Sequence, residues 1–126
     1  MSVLNESVLS EFGERLGIRH LQFSNENQVD LEIAESDHLQ IQLMDEALLM
    51  CYAVSSQHQR VDVAFMERLL NLTHPDNDNL YAVQVGFVGD DHIVFVIRLV
   101  ASEASADEMM AVFDFLWELR QTYVSA

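Results

Sequence analysis

Between Leu39 and Val54 the chain changes its hydrophobic period. Leu39, Ile41 and Leu43 alternate with His38, Gln40 and Gln42, the two-residue repeat of a strand with one wet face. After Asp45-Glu46, the stretch Ala47 to Val54 is apolar on both faces, which predicts a strand buried on both sides. A one-sided strand, a tight turn and a two-sided strand predict the middle of an antiparallel sheet.

The flanks read as cover for that sheet. Over residues 2–16, Leu4, Val8, Phe12 and Leu16 recur at four-residue spacing, joined by Leu9, and predict an amphipathic helix that stops at Gly17. Gly13 stands inside it and costs about 1 kcal/mol against alanine, so its small size implies close approach by another backbone or an aromatic ring. Leu21 and Phe23 precede a polar turn at 24–28. Val29, Leu31 and Ile33 then alternate with Asp30, Glu32 and Glu35 in a first strand with one acidic face. Short connections at Ser36-Asp37 and Asp45-Glu46 make a three-stranded meander.

A polar connection, Ser55 to Arg60, leads to Asp62, which can cap a helix running to Leu72. Val63, Phe65, Met66, Leu69, Leu70 and Leu72 wrap more than one stripe of this short helix. Such a helix needs two partners, its own core and a second surface, which points to another subunit. Two more strands follow, Leu80–Val88 and Ile93–Val100. The second is apolar on both faces apart from Arg98 and belongs inside the sheet. Ser105-Ala106-Asp107-Glu108 has a capping-box pattern and opens the longest helix, to about Val124. Met109, Val112, Phe113, Leu116, Leu119 and Tyr123 form its core stripe, with Phe115 and Trp117 beside it. The fold class is therefore α+β. The order α-β-β-β-α-β-β-α puts three helices on one antiparallel five-stranded sheet, in a single domain spanning 1–126.

Charge narrows the partners. The formal net charge is −15, and all six basic residues are arginine. Such a surface repels nucleic-acid phosphates and anionic membrane, and suits a basic or apolar partner that must stay soluble; the plainer reading is a solvated face. The amino-terminal stretch lacks the basic region of a secretory signal, and no apolar run approaches the roughly 20 residues of a membrane span. The lone Cys51, in the most apolar strand, excludes an intrachain disulfide and reads as a buried structural thiol in a reducing compartment, here the cytoplasm.

No catalytic motif emerges. His20, His38, His58, His74 and His92 lack the spacing of metal pairs on a helix or strand, so no metal is expected. Asp76-Asn77-Asp78-Asn79 lacks the glycine and the bidentate acid of a calcium loop. Asp90-Asp91 reads as a hairpin tip, and Asn71-Leu72-Thr73 as a sequon without meaning in a helical pattern. Phosphate-loop, dinucleotide and nucleophile-elbow patterns are missing, so neither enzyme activity nor a cofactor is expected. Arg98 reads as a structural cation that snorkels to the sheet edge or pairs with a carboxylate.

The succession as a whole resembles a known family. Residues 9–18 (LSEFGERLGI) are followed by LQFSNEN at 21–27, the alternating strand pair and Leu48 to Val54. A helix ending in Leu69-Leu70-Asn71, a hairpin with Ile97-Arg98-Leu99 and a long acidic last helix complete it. The chain resembles the class I chaperones of bacterial type III secretion, the Tir-chaperone family. The resemblance implies a cytoplasmic homodimer in a Gram-negative bacterium, working without ATP. It would bind the amino-terminal, non-globular segment of a secreted effector and keep it export-competent. It implies dimer contacts at Val63, Met66 and Leu70 with Val83 and Val85. It implies effector contacts at Leu9, Phe12 and Leu16 beside a first strand, Val29, Leu31 and Ile33, to which the effector adds a strand. A regulator of the same fold that sequesters a transcriptional control protein, a small enzyme of similar topology, and a sensory or structural domain outside secretion stay open as other readings.

Overall fold

The computed structural model describes residues 6–33, 37–55, 63–71, 81–88 and 92–124. Helix α1 (Glu6–Arg15) precedes strands β1 (Gln28–Ile33), β2 (Asp37–Met44) and β3 (Ala47–Ser55). Helix α2 (Val63–Leu70), strands β4 (Val83–Val88) and β5 (His92–Val100) and helix α3 (Ala106–Tyr123) follow, with a 3-10 turn at Ala101–Glu103 before α3. The expected order and the single antiparallel sheet are both present. The strand order is β1-β2-β3-β5-β4, so β3 is central, β5 internal, and β1 and β4 are the edges. Asp62 and its proposed cap, the Ser36 turn residue, the 76–79 loop and Asp90-Asp91 lie outside the described residues.

Register assigns the two faces. Ile41 faces Met50, Met50 faces Ile97, and Ile97 faces Val83 across the sheet. This row, with Leu39, Leu48, Tyr52, Val54, Ile93 and Phe95, is buried beneath the helices. Leu9, Phe12, Phe65, Leu69, Met109, Val112 and Leu116 complete the same core from the helix side. The opposite face carries Gln40, Gln42, Leu49, Cys51, Ala53, Val94, Val96 and Arg98. Leu49, Cys51 and Ala53 are only half-buried, and Arg98 is exposed. The expectation of a β3 buried on both faces is thus corrected. Among the described residues, the helical layer covers one side of the sheet only. Cys51 is corrected with it, from buried to half-buried.

Local chemistry explains the turns. Ser105 caps α3, its hydroxyl accepting from the Glu108 N–H at 3.1 Å as the capping pattern predicts. Gly17 (φ 84) ends the turn after α1, and Asp45 (φ 53) occupies the left-handed position of the β2–β3 turn. Arg15, in the last turn of α1, bonds Glu11 one turn back at 3.0 Å and also pairs with Asp107 in the first turn of α3. Both acids are exposed, so the pairs add little stability, and only the Asp107 pair links α1 to α3.

Gly13 is placed by the chain's own return. The Ile18 N–H donates to the Gly13 carbonyl at 2.8 Å, and the chain folds back across the helix. A Cβ on Gly13 would lie 2.7 Å from Leu21 Cβ and 3.1 Å from the Ile18 carbonyl oxygen. The close approach inferred from the sequence is therefore made by Leu21 and backbone, not by an aromatic ring. Gly13→Ala gains about 1 kcal/mol of helix propensity but overpacks this contact by about 1–3 kcal/mol. We expect a lower urea midpoint for Gly13→Ala, and no rescue by Leu21→Ala, which keeps the Cβ that lies 2.7 Å away and empties part of the core.

Candidate partner-binding surfaces

One charged side chain lies in the described core. Asp37 opens β2 in phase with Leu39 and Ile41, on the helix-covered face, and is 2% exposed. Its Oδ2 accepts from the Tyr52 hydroxyl at 2.8 Å and from Arg120 Nε at 3.0 Å. Tyr52 belongs to β3 and Arg120 to α3, so one carboxylate ties two strands to a helix. Tyr52 is also flanked by Trp117 and Phe113 of α3, at ring separations of 6.3 and 6.4 Å. Burial above all, then the hydrogen bond to Asp37, holds the Tyr52 phenol well above its ordinary value, with Arg120 opposing. Burial alone pushes the Cys51 thiol up. The sequence carried one sign of this network: Asp37 continues the apolar alternation of β2, where a turn residue was expected.

The predicted effector contacts divide in two. Leu9 and Phe12 are 0% exposed and Val29 is 6% exposed. Their side chains are core, so the expectation of a docking patch formed by them is corrected. The helical period of α1 aims both residues at the sheet, and Val29 packs opposite Ile41. Leu16, Leu31 and Ile33 remain half-buried at the margin of that core.

Backbone geometry gives β1 its character as an edge. The Leu43 N–H donates to the Asn27 carbonyl at 2.9 Å, in line with the pairing of Gln28 with Gln42. Alternation along an antiparallel ladder then turns Val29, Leu31 and Ile33 toward β2 and the backbone of Gln28, Asp30 and Glu32 outward. The outward Gln28 carbonyl accepts from the Ser24 N–H at 3.0 Å. Among the described residues, no backbone group pairs with the outward groups of Asp30 and Glu32. Their side chains stand exposed on the uncovered face, where Asp30 Oδ1 meets His38 Nδ1 at 3.0 Å.

The predicted dimer contacts also divide. Helix α2 buries Phe65 and Leu69 and presents Val63, Met66 and Leu70 at 71%, 38% and 52% exposure. These are the two stripes expected from its pattern. Val83 is 4% exposed and serves the core, a correction to its expected place in an interface; Val85 is half-buried and Phe87 is 38% exposed on the same strand. Arg68 of α2 stacks over the Tyr123 ring of α3, 5.8 Å from its centre. Beside α1, Ser7, Ser10, His20 and Gln22 line an open depression. Among the described residues no group of three ligands could hold a metal ion, and no helix is long and apolar enough to cross a membrane.

The sequence matches the model of the type III secretory system chaperone SycN family over residues 4–124. The chain belongs to this family. No curated protein matches it in sequence. Solved structures share its fold, three among them as follows. The HopA1–SchA chaperone–effector complex contains a chain 13% identical, with TM-score 0.70, covering 93% of this chain and 90% of the other. The Yersinia pestis chaperone SycH with a YscM2 fragment gives 14% identity, TM-score 0.70 and coverage of 94% and 98%. The ExsC–ExsE complex gives 16%, 0.71, and 96% and 93%. At such identities the likeness is one of fold, and it bears out the α+β architecture. The family is one of chaperones, which act by binding rather than catalysis.

Two stability effects follow from the Asp37 network. Arg120→Leu leaves a buried carboxylate without its cation and should cost about 3–5 kcal/mol. Adding Asp37→Leu should recover much of that loss in the same chemical unfolding assay. The pH dependence has a definite sign, because the stability from a group that holds its proton more tightly when folded is fully present below its unfolded value and is lost as pH rises through its folded one. Stability should fall with rising pH, through Cys51 from about pH 8.5 and through Tyr52 from about pH 10. Tyr52→Phe should remove only the upper part of that slope.

Proposed function

We propose that this SycN-family chain is a homodimeric, ATP-independent chaperone of the bacterial cytoplasm. It holds the amino-terminal, non-globular segment of a type III secreted effector in a soluble, export-competent form. The observation that carries the reading is the open β1 edge, in a member of a secretion-chaperone family. An unfolded segment offers backbone hydrogen-bonding groups at every residue, and an edge strand binds them without demanding one sequence. Leu16, Leu31 and Ile33 give apolar contact beside that edge, supported from beneath by Leu9, Phe12 and Val29. Burial of such surface supplies about 25 cal/mol per Å² before the cost of ordering the segment is subtracted.

The second surface is the outer stripe of α2. Val63, Met66 and Leu70 fall at helical spacing on the side away from Phe65 and Leu69. A self-complementary apolar stripe of this kind suits a two-fold interface, with Val85 of β4 beside it. The remaining acidic surface keeps the loaded complex soluble. No observation favours sequestration of a transcriptional control protein over effector binding.

The tagged chain, purified from its native bacterium, should elute at a mass set by twice 14.4 kDa plus one identified secreted effector. Met66→Glu should halve the mass of the unliganded protein in light scattering without changing its circular dichroism. A monomeric wild-type protein at micromolar concentration would sink the dimer. Capture of a transcription-control protein in place of a secreted one would replace the effector reading.

A further inference from the structure

The β1 edge carries more information than an unpaired backbone. Its outward backbone groups belong to the residues whose side chains stand on the uncovered face, since both directions alternate with the same period. A strand added at this edge therefore meets Asp30 and Glu32 on one face, with Leu31 and Ile33 between them on the other. Directly opposed side chains across such a pair lie about 4.5–5.5 Å apart, close enough for opposite charges to attract and like charges to repel.

The chain supplies little positive charge of its own to this face. His38 touches Asp30 through Nδ1 at 3.0 Å and is the cross-strand neighbour of Glu32. The other neighbours on β2, Gln40 and Gln42, are neutral. The whole sequence has no lysine and a net charge of −15. Half-buried Leu31 and Ile33, by contrast, continue the core to the rim, where a further apolar side chain extends it.

We infer that the β1 edge selects an extended partner segment in which basic residues alternate with apolar ones. The basic residues lie opposite Asp30 and Glu32, and the apolar ones opposite Leu31 and Ile33. The inference rests on strand addition at β1, proposed above, and names the chemistry that this edge reads. The available stretch is short, because the Ser24 N–H already occupies the outward Gln28 carbonyl. Selection therefore concentrates on about four partner residues, spanning about 13 Å.

The test uses three synthetic nonapeptides on the full chain at physiological salt. One alternates lysine and valine, one alternates glutamate and valine, and one has the lysines and valines in separate blocks. The alternating basic peptide should bind about tenfold or more tightly than either of the others by fluorescence anisotropy. It should also slow amide exchange at Asp30 and Glu32. Asp30→Lys with Glu32→Lys should reverse the order of the two alternating peptides, and Asp30→Asn with Glu32→Gln should narrow the gap. If the block peptide binds as well as the alternating one, or the charge-reversed variant keeps the wild-type order, general attraction to an acidic protein is at work and the inference is overturned. Asp30→Pro separates failure of strand addition itself, because it removes an outward donor and leaves the ladder to β2 intact. If Asp30→Pro binds the basic peptide at full affinity and no β1 amide is slowed, the edge is not the site and both readings fall.

Discussion

A sheet of apolar strands must find a second layer, and among the described residues the helices meet that need on one side. Everything else follows from the choice of side. Residues in phase with Ile41, Met50, Phe95 and Ile97 are committed to the core and are interchangeable with other apolar residues of similar volume. Residues out of phase are released from packing and can carry chemistry. The same alternation that builds the core therefore creates the acidic rim of β1 and the half-buried stretch through Leu49, Cys51 and Val96.

The Asp37 network is a costly way to join strands to a helix. A buried carboxylate loses its hydration, and one hydroxyl and one guanidinium only partly replace it. An apolar trio would hold the layers together as well. What the polar version adds is direction. Asp37 sits where β2 begins, opposite Ile33 at the end of β1. A slip of one residue there would turn every side chain of the hairpin to the wrong face. Anchoring this point to Tyr52 and Arg120 keeps the acids of β1 outside and its leucine and isoleucine toward the helices.

The architecture was legible because the periods of the sequence are clean. The central position of β3, the internal position of β5, the Gly17 stop and the Ser105 cap all came from local patterns that tertiary structure did not override. The sites were less legible, for a physical reason. Periodicity says which residues share a face, but not whether that face is covered. Leu9 and Phe12 on one helix and Met66 on another have similar patterns, yet the first two are core and the third is surface. Cys51 was misjudged for the same reason. Long-range polar partners such as Asp37 and Arg120 leave almost no local trace, since 83 positions separate them.

The hydrogen bond from Ser24 to Gln28 has a consequence for the behaviour of the protein in a crowded cell. An unpaired edge is a template for uncontrolled stacking, in which one copy adds to the next. Here the chain closes one end of its own template, and among the described residues the open stretch is that of Asp30 and Glu32. The side chains of that stretch are acidic, so two copies brought edge to edge would oppose like charges. On the reading proposed for β1, the same acids that would attract a basic segment would also set two copies of this edge against each other.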